Sequence, residues 1–167
     1  MKKGIKILLF CLSSLTLISW DRASKELAKD LLKDKAPVSY FHNTVRFEYV
    51  ENTGAAMSFA DDLPKQTSFW LLSIAPLALL LAISVYVIRN TEKMPLARLA
   101  AFALVISGGL GNIYDRIVYD RHVTDFMNLG INNLRTGIFN FADVCISAGA
   151  VMLLLSYREK KKIMDAT

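Results

Sequence analysis

Four stretches of this chain are apolar enough, and long enough, to make the hydrocarbon of a bilayer their natural solvent. They cover about 4–27, 67–88, 96–118 and 138–157, and a helix needs roughly 20 mostly apolar residues to cross. The second, TSFWLLSIAPLALLLAISVYVI, is the clearest. The first, GIKILLFCLSSLTLISW, is short alone and reaches the far interface if its helix continues through DRASKEL. The expected fold class is membrane all-α: a four-transmembrane-helix bundle forming one integral membrane domain over 1–167. The chain is 53% hydrophobic, too apolar for an ordinary soluble domain.

Lys and Arg near the span ends set the orientation. Lys2, Lys3 and Lys6 precede the first span. Arg89, Lys93 and Arg98 lie between the second and third, and Arg158, Lys160, Lys161 and Lys162 follow the fourth. These segments hold ten of the 20 basic residues and only three acids, Glu92, Glu159 and Asp165. With four spans they share one side, so the N- and C-termini are expected to be cytoplasmic. The net charge of +5 is then mostly cytoplasmic anchoring. The basic residues do not interleave with aromatics on one face, so no nucleic-acid partner is expected.

MKKGIKILLFCLSS has the basic start and apolar stretch of a lipoprotein signal peptide. The residues before Cys11 are Leu8, Leu9 and Phe10, not the small residues of a processing site, so the segment reads as an uncleaved first span. Cys11 and Cys145 sit in different spans and carry no disulfide or metal spacing. The segment 37–66 differs in kind. In TVRFEYVENTG, Val45, Phe47 and Tyr49 alternate with Arg46 and Glu48, as in a half-buried strand. Asn52-Thr53-Gly54 breaks it with turn chemistry, and Ala55–Phe59 reads as a second short strand or a return to the membrane. A small extracytoplasmic β-sheet between helices 1 and 2 is therefore expected on the bilayer surface.

The intramembrane polar residues gather at one depth. A charged side chain at the centre of a span costs about 2.5–3.5 kcal/mol on insertion scales, so each is a functional candidate. Asp21 and Lys25 lie one turn apart at the outer end of span one. Asn112, Asp115 and Arg116 form an i, i+3, i+4 set in the outer half of span three, and Asp125 follows just beyond it. Asn140 and Asp143 open span four. Ser107, Gly108 and Gly111 allow a neighbouring helix to come close. Packing plus an interfacial salt bridge is the competing explanation for Asp115 and Arg116.

Two outer-leaflet carboxylates suit one chemistry. Asp125 and Asp143 are 18 residues apart, and the connector can fold back to unite them. Paired carboxylates share a proton, so one activates water while the other protonates the leaving amine. His42 and His122 have no ligand spacing, so no metal is expected. A Ser24–Lys25 dyad is geometrically poor, because helix neighbours diverge. A proton-coupled transporter is the rival, but it would place polar groups through the whole depth. A lipid-binding assembly factor is the other rival; it would need a pocket but not two acids.

At these residues the chain resembles the bacterial lipoprotein signal peptidases, the signal peptidase II family. D-R-A-S-K at Asp21–Lys25, N-T-G-A-A at Asn52–Ala56, G-G-L-G-N-I-Y-D-R at Gly108–Arg116, V-T-D-F at Val123–Phe126 and F-N-F-A-D at Phe139–Asp143 match the family's motifs in order. The resemblance implies an intramembrane aspartyl endopeptidase of the bacterial cytoplasmic (inner) membrane. It implies cleavage of diacylglyceryl-modified prolipoproteins on the N-terminal side of the lipidated cysteine, at the outer-leaflet interface. By the motifs, Asp125 and Asp143 are catalytic. Asn52, Gly54, Asn112, Arg116 and Asn140 bind substrate or support the site, and Asp21, Lys25 and Asp115 are structural support. Membrane lipid and globomycin-type inhibitors are implied partners, no cofactor is implied, and a monomer is expected. Three features depart from many relatives: Arg22, Met57 and the connector IVYDRHVT with its extra acid, Asp120. The longer connector leaves Asp115 as the alternative partner of Asp143. Residues 52–63, hinged at Gly54, read as a candidate lid, and Phe41, Phe47, Tyr49 and Phe59 as residues that lie against lipid.

Overall fold

A computed structural model describes residues 1–54 and 63–165, with side chains described as far as Tyr157. The expected strand at 55–59, Met57, Phe59 and most of the 52–63 segment lie outside the described residues.

Helix α1, Lys3–Leu32, is 30 residues long, or about 45 Å. It outruns a hydrocarbon core of about 30 Å and projects beyond it. Asp34 follows its end with φ 60°, the left-handed position that a short polar side chain tolerates. Helix α2, Lys65–Phe69, runs through a π turn, Trp70–Ile74, into α3, Ala75–Asn90. The wide turn has a cause in the sequence. Pro76 has no N–H and its ring crowds the carbonyl four residues back, and the wider i→i−5 turn just before it accommodates that. A short 3₁₀ turn, Thr91–Lys93, leads to α4, Leu96–Val118, and the last helix is α5, Phe141–Asp165.

α4 is the central helix and packs chiefly on α5 and α1. Its small residues let backbones nearly touch. A Cβ on Gly108 would lie 2.3 Å from the Ala142 carbonyl oxygen, and one on Gly149 would lie 2.7 Å from that of Ala101. Both contacts belong to one antiparallel register of α4 against α5. Phe10, Leu80, Val87, Leu99, Ile106 and Ile113 fill the core between α1, α3 and α4. Leu8, Leu12, Leu15, Leu79, Leu81, Val85, Leu154 and Leu155 face outward. Such an apolar exterior suits lipid.

By length and composition three helical stretches can cross a membrane: Lys3–Leu32, Lys65–Lys93 and Leu96–Val118. The apolar part of the last helix, Phe141–Tyr157, is shorter. The fourth stretch was expected to begin at 138, but residues 138–140 are not helical. The basic segments do meet at one end of the bundle. Lys6 Nζ donates to the carbonyls of Thr91, Glu92 and Met94, and Arg98 donates to Ser156 Oγ.

The sheet differs from the expectation that placed it between helices 1 and 2. Strands β1, Val38–Tyr40, and β2, Val45–Asn52, do come from that connector. Strands β3, Val123–Ile131, and β4, Leu134–Arg135, come from the connector between α4 and α5. The order is β1-β2-β3-β4, all antiparallel. A hairpin alone leaves β2 with a bare edge, and β3 covers it. Between the pairs Phe47↔Met127 and Val50↔Asp125, β2 has one residue more than β3. This bulge ends the simple alternation expected through Tyr49.

Because Gly149 sits against the Ala101 carbonyl, Gly149→Val forces α4 and α5 apart. We expect a loss of about 1–3 kcal/mol in detergent, read as a lower thermal midpoint. An unchanged midpoint would contradict the close α4–α5 register.

Candidate active site

α5 begins with a reciprocal cap. Asp143 N–H donates to Asn140 Oδ1 at 3.0 Å, and Asn140 N–H donates to Asp143 Oδ2 at 3.0 Å. This is a capping box, with Asn140 at the N-cap and Asp143 three residues on. The pair was expected within the first two helical turns. Instead Asn140 is the last extended residue, held there as Phe139 pairs with Met127 of β3.

The same Asn140 reaches the second acid. Its Nδ2 donates to Asp125 Oδ1 at 2.7 Å and to Asn112 Oδ1 at 3.0 Å. Asn112 Nδ2 donates to Asp143 Oδ1 at 2.8 Å. On the other side Asn52 Nδ2 donates to Asp125 Oδ2 at 2.9 Å, and Asn52 Oδ1 accepts from Gly54 N–H at 2.9 Å. Arg116 Nη2 holds the Gly54 carbonyl at 2.7 Å. The two carboxylates, three asparagines, Gly54 and Arg116 form one connected set drawn from β2, α4, β3 and α5. Asp125 is 3% exposed. Burial, reinforced by the Asp143 charge, pushes its carboxyl up to about 6 against the bonds from Asn52 and Asn140.

Asp21, Lys25 and Asp115 form a second, buried set behind the first. Lys25 Nζ lies 2.8 Å from Asp21 Oδ2, 2.8 Å from Asp115 Oδ2 and 3.0 Å from Asn112 Oδ1. Asp21 Oδ1 accepts the Ala142 N–H at 3.0 Å. Arg22 pairs with Asp115 and Glu26 and lies over the rings of Tyr114 and Tyr119. Arg22 thus joins the charge cluster, a role the sequence did not suggest. Asp115 is fully buried in that cluster. The cleft is lined by Asp125, Asp143, Asn52, Asn112 and Arg116 but not by Asp115. Ser24 Oγ donates to the Asp21 carbonyl, away from Lys25.

That cleft has a volume of about 960 Å³. From the acids it follows Val144, Ser147, Ala148, Val151 and Met152 along α5 and is closed elsewhere by Leu129 and 136–139. From Asp143 to Met152 the helix descends about 14 Å. This apolar wall was missed in the sequence, although its i, i+3, i+4, i+7 spacing is visible there.

The chain is similar to known proteins over most of its length. A family model described as "Signal peptidase (SPase) II" matches residues 13–158. A lipoprotein signal peptidase of Clostridium acetobutylicum is 37% identical over 136 residues, covering 81% of this chain and 84% of that one. One from Yersinia pseudotuberculosis is 35% identical over 156 residues, covering 90% and 89%. A solved bacterial membrane enzyme superposes with a TM-score of 0.77 at 22% identity, covering 93% of this chain and 90% of that one. A second gives 0.73 at 23% identity, with 90% and 93% covered.

The burial of Asp125 has a measurable consequence. Infrared difference spectra should show a carboxylic acid C=O band that ionises around pH 6 and is absent in Asp125→Asn. Ionisation near the ordinary 3.8 would contradict the buried, paired geometry.

Proposed function

The chain belongs to the signal peptidase II family of proteases, which remove the signal peptide from prolipoproteins, and we propose that Asp125 and Asp143 are its catalytic dyad. One observation carries this reading: both acids line a single cleft and are joined through Asn140. A carboxylate with no proton takes one from water, and the resulting hydroxide attacks the scissile carbonyl carbon. The tetrahedral intermediate expels the amine, which takes the proton held by the other acid. No metal is needed, because the proton moves between two acids already held apart in character. Asn52, Asn112 and Asn140 hold the acids. Arg116 lines the cleft beside the acids and holds the Gly54 carbonyl.

The substrate is a prolipoprotein with a diacylglyceryl cysteine, cut on the N-terminal side of that cysteine. The support is the shape of the cleft, polar at the acids and apolar for about 14 Å below them. A lipid-modified peptide has the same division. Globomycin-type inhibitors are expected in the same cleft, and nothing in the fold requires more than one copy.

Four spans in the cytoplasmic (inner) membrane, with cytoplasmic termini, complete the reading. Phe141–Tyr157 is short for a span, but it lies antiparallel to α4 and is followed in sequence by the basic residues Arg158 and Lys160–Lys162. The basic ends meet at one end of the bundle and the acids at the other, as an outward-facing site requires. The sheet supplies a further lipid contact. Its two turns lie together, joined by Gly130 N–H to the Thr44 carbonyl and Arg135 Nη1 to the Asn43 carbonyl. They carry Phe41, Ile131 and Leu134, 78%, 69% and 84% exposed. Phe41 is held at φ 52°, a costly backbone for a bulky residue, which suits an anchor in the outer leaflet.

Two experiments test the reading. A synthetic peptide with a diacylglyceryl cysteine is incubated with the protein in detergent and the products read by mass spectrometry. We expect a cut immediately before the lipidated cysteine, reduced at least about a thousandfold in Asp125→Asn and in Asp143→Asn. Full activity in either variant removes that residue from the dyad. For the anchor, Trp20 and Trp70 are replaced by Phe and Phe41 by Trp. Brominated acyl chains in vesicles should then quench the fluorescence, and unquenched emission would place the turn in water.

A further inference from the structure

Lys25 is buried, 1% exposed, and touches neither carboxylate of the cleft. It does touch Asn112. An ammonium has donors and no acceptor, so the Asn112 atom 3.0 Å away is the oxygen. That choice sends Asn112 Nδ2 toward Asp143. It also requires Asn140 to present its own Nδ2 to Asn112, and therefore to Asp125. The amides of the site thus share one direction.

At rest the charge on Asp143 would itself favour that direction. The need for Lys25 arises during turnover. When Asp143 takes a proton from water, its charge is gone and it no longer demands a donor from Asn112. An amide free to turn over would then offer its oxygen, and the proton could settle between Asp143 and Asn112, away from the cleft. With the amide held, the inward lone pairs of Asp143 stay occupied by Asn112 Nδ2 and the Asn140 N–H. The proton must then sit on the cleft side, where it can return to product or solvent.

We propose that Lys25 is a positioning residue that locks the Asn112 amide while Asp143 is protonated, so that the transferred proton stays on the cleft side of the dyad. This rests on the reading of Asp125 and Asp143 as the dyad, with Asp143 the member that takes the proton from water. Lys25 forms and breaks no bond in the reaction; its place between Asp21 and Asp115 fixes it rigidly enough to orient a third group.

Removing Lys25 alone strands buried Asp21 and leaves Asp115 with Arg22 as its one remaining cation, and is expected to unfold the protein. The test therefore uses charge-balanced pairs. Lys25→Met is combined with Asp115→Asn and read against Asp115→Asn alone. It is also combined with Asp21→Asn, whose amide oxygen still accepts the Ala142 N–H, and read against Asp21→Asn alone. Cleavage of the diacylglyceryl peptide is followed for kcat and KM, with thermal unfolding checked for each protein. We expect kcat to fall about 10- to 100-fold, the scale of one hydrogen bond to a charged group, with KM unchanged. The same step taken in an Asn112→Ala background should cost less than about threefold, because the amide it acts through is gone. An equal loss with and without Asn112, a loss confined to KM, or no loss in a folded pair would overturn the proposal. None of these outcomes touches the dyad itself, which stands or falls on Asp143→Asn in the parent protein.

Discussion

The site depends on a charge knot where α1, α4 and α5 meet. Lys25 lies between Asp21 and Asp115, all three essentially without solvent contact. Ions so placed are costly to desolvate, and removing one partner leaves an uncompensated charge worth about 3–5 kcal/mol. Such a group does little for net stability but permits very few arrangements. Asp21 adds a second constraint by accepting the Ala142 N–H, one of the orphan donors at the start of α5. Gly111 makes room for this: a Cβ there would lie 2.5 Å from Asp21 Oδ2. Three helices are thereby fixed in depth, and with them Asn112, Asn140 and Asp143.

The convergence of polar residues at one end was legible because a helix repeats and lipid tolerates few charges. The division of labour within that end was not. Asn112, Asp115 and Arg116 form an i, i+3, i+4 set, yet at about 100° per residue Asp115 and Arg116 lie on opposite flanks of Asn112. Asp115 turns to Lys25 and Arg22, and Arg116 to Gly54. That geometry speaks against Asp115 as the partner of Asp143, since its carboxylate is enclosed by the cluster and does not line the cleft that the other two acids share. The capping signature N-x-x-D is visible at Asn140–Asp143, and it marks the start of the helix after 140, where an apolar run alone suggests a start at 138. The strand at 123–131 is less legible, because its buried and half-buried positions do not follow a clean two-residue alternation. What no single sequence could supply was the pairing of Val50 with Asp125, a long-range register.

The distribution of charge also separates the enzyme from a transporter. The buried ionisable residues among those described, Asp21, Lys25, Asp115 and Asp125, all belong to one end of the bundle, with Asp115 about 26 Å along α4 from Arg98. The bundle below them is apolar, with hydroxyls that bond their own helix, as Ser84 does to Leu80 and Ser107 to Ala103. A proton path across the membrane needs relay groups along that depth.

The two acids come from different kinds of backbone, and that difference does chemical work. Asp143 sits in the first turn of α5, where its carboxylate accepts the Asn140 N–H at the positive end of the helix dipole. Asp125 sits on a strand, beneath the sheet, where burial pushes its carboxyl up to about 6. A symmetric pair would have to be polarised by the substrate at each turnover. Here one acid sits at a helix start and the other on a strand, two settings that are electrostatically unlike. The sheet is therefore more than a cover for the bundle: by carrying one acid on β3 and holding it with Asn52 from β2, it supplies the member of the proposed dyad whose carboxyl burial pushes up to about 6.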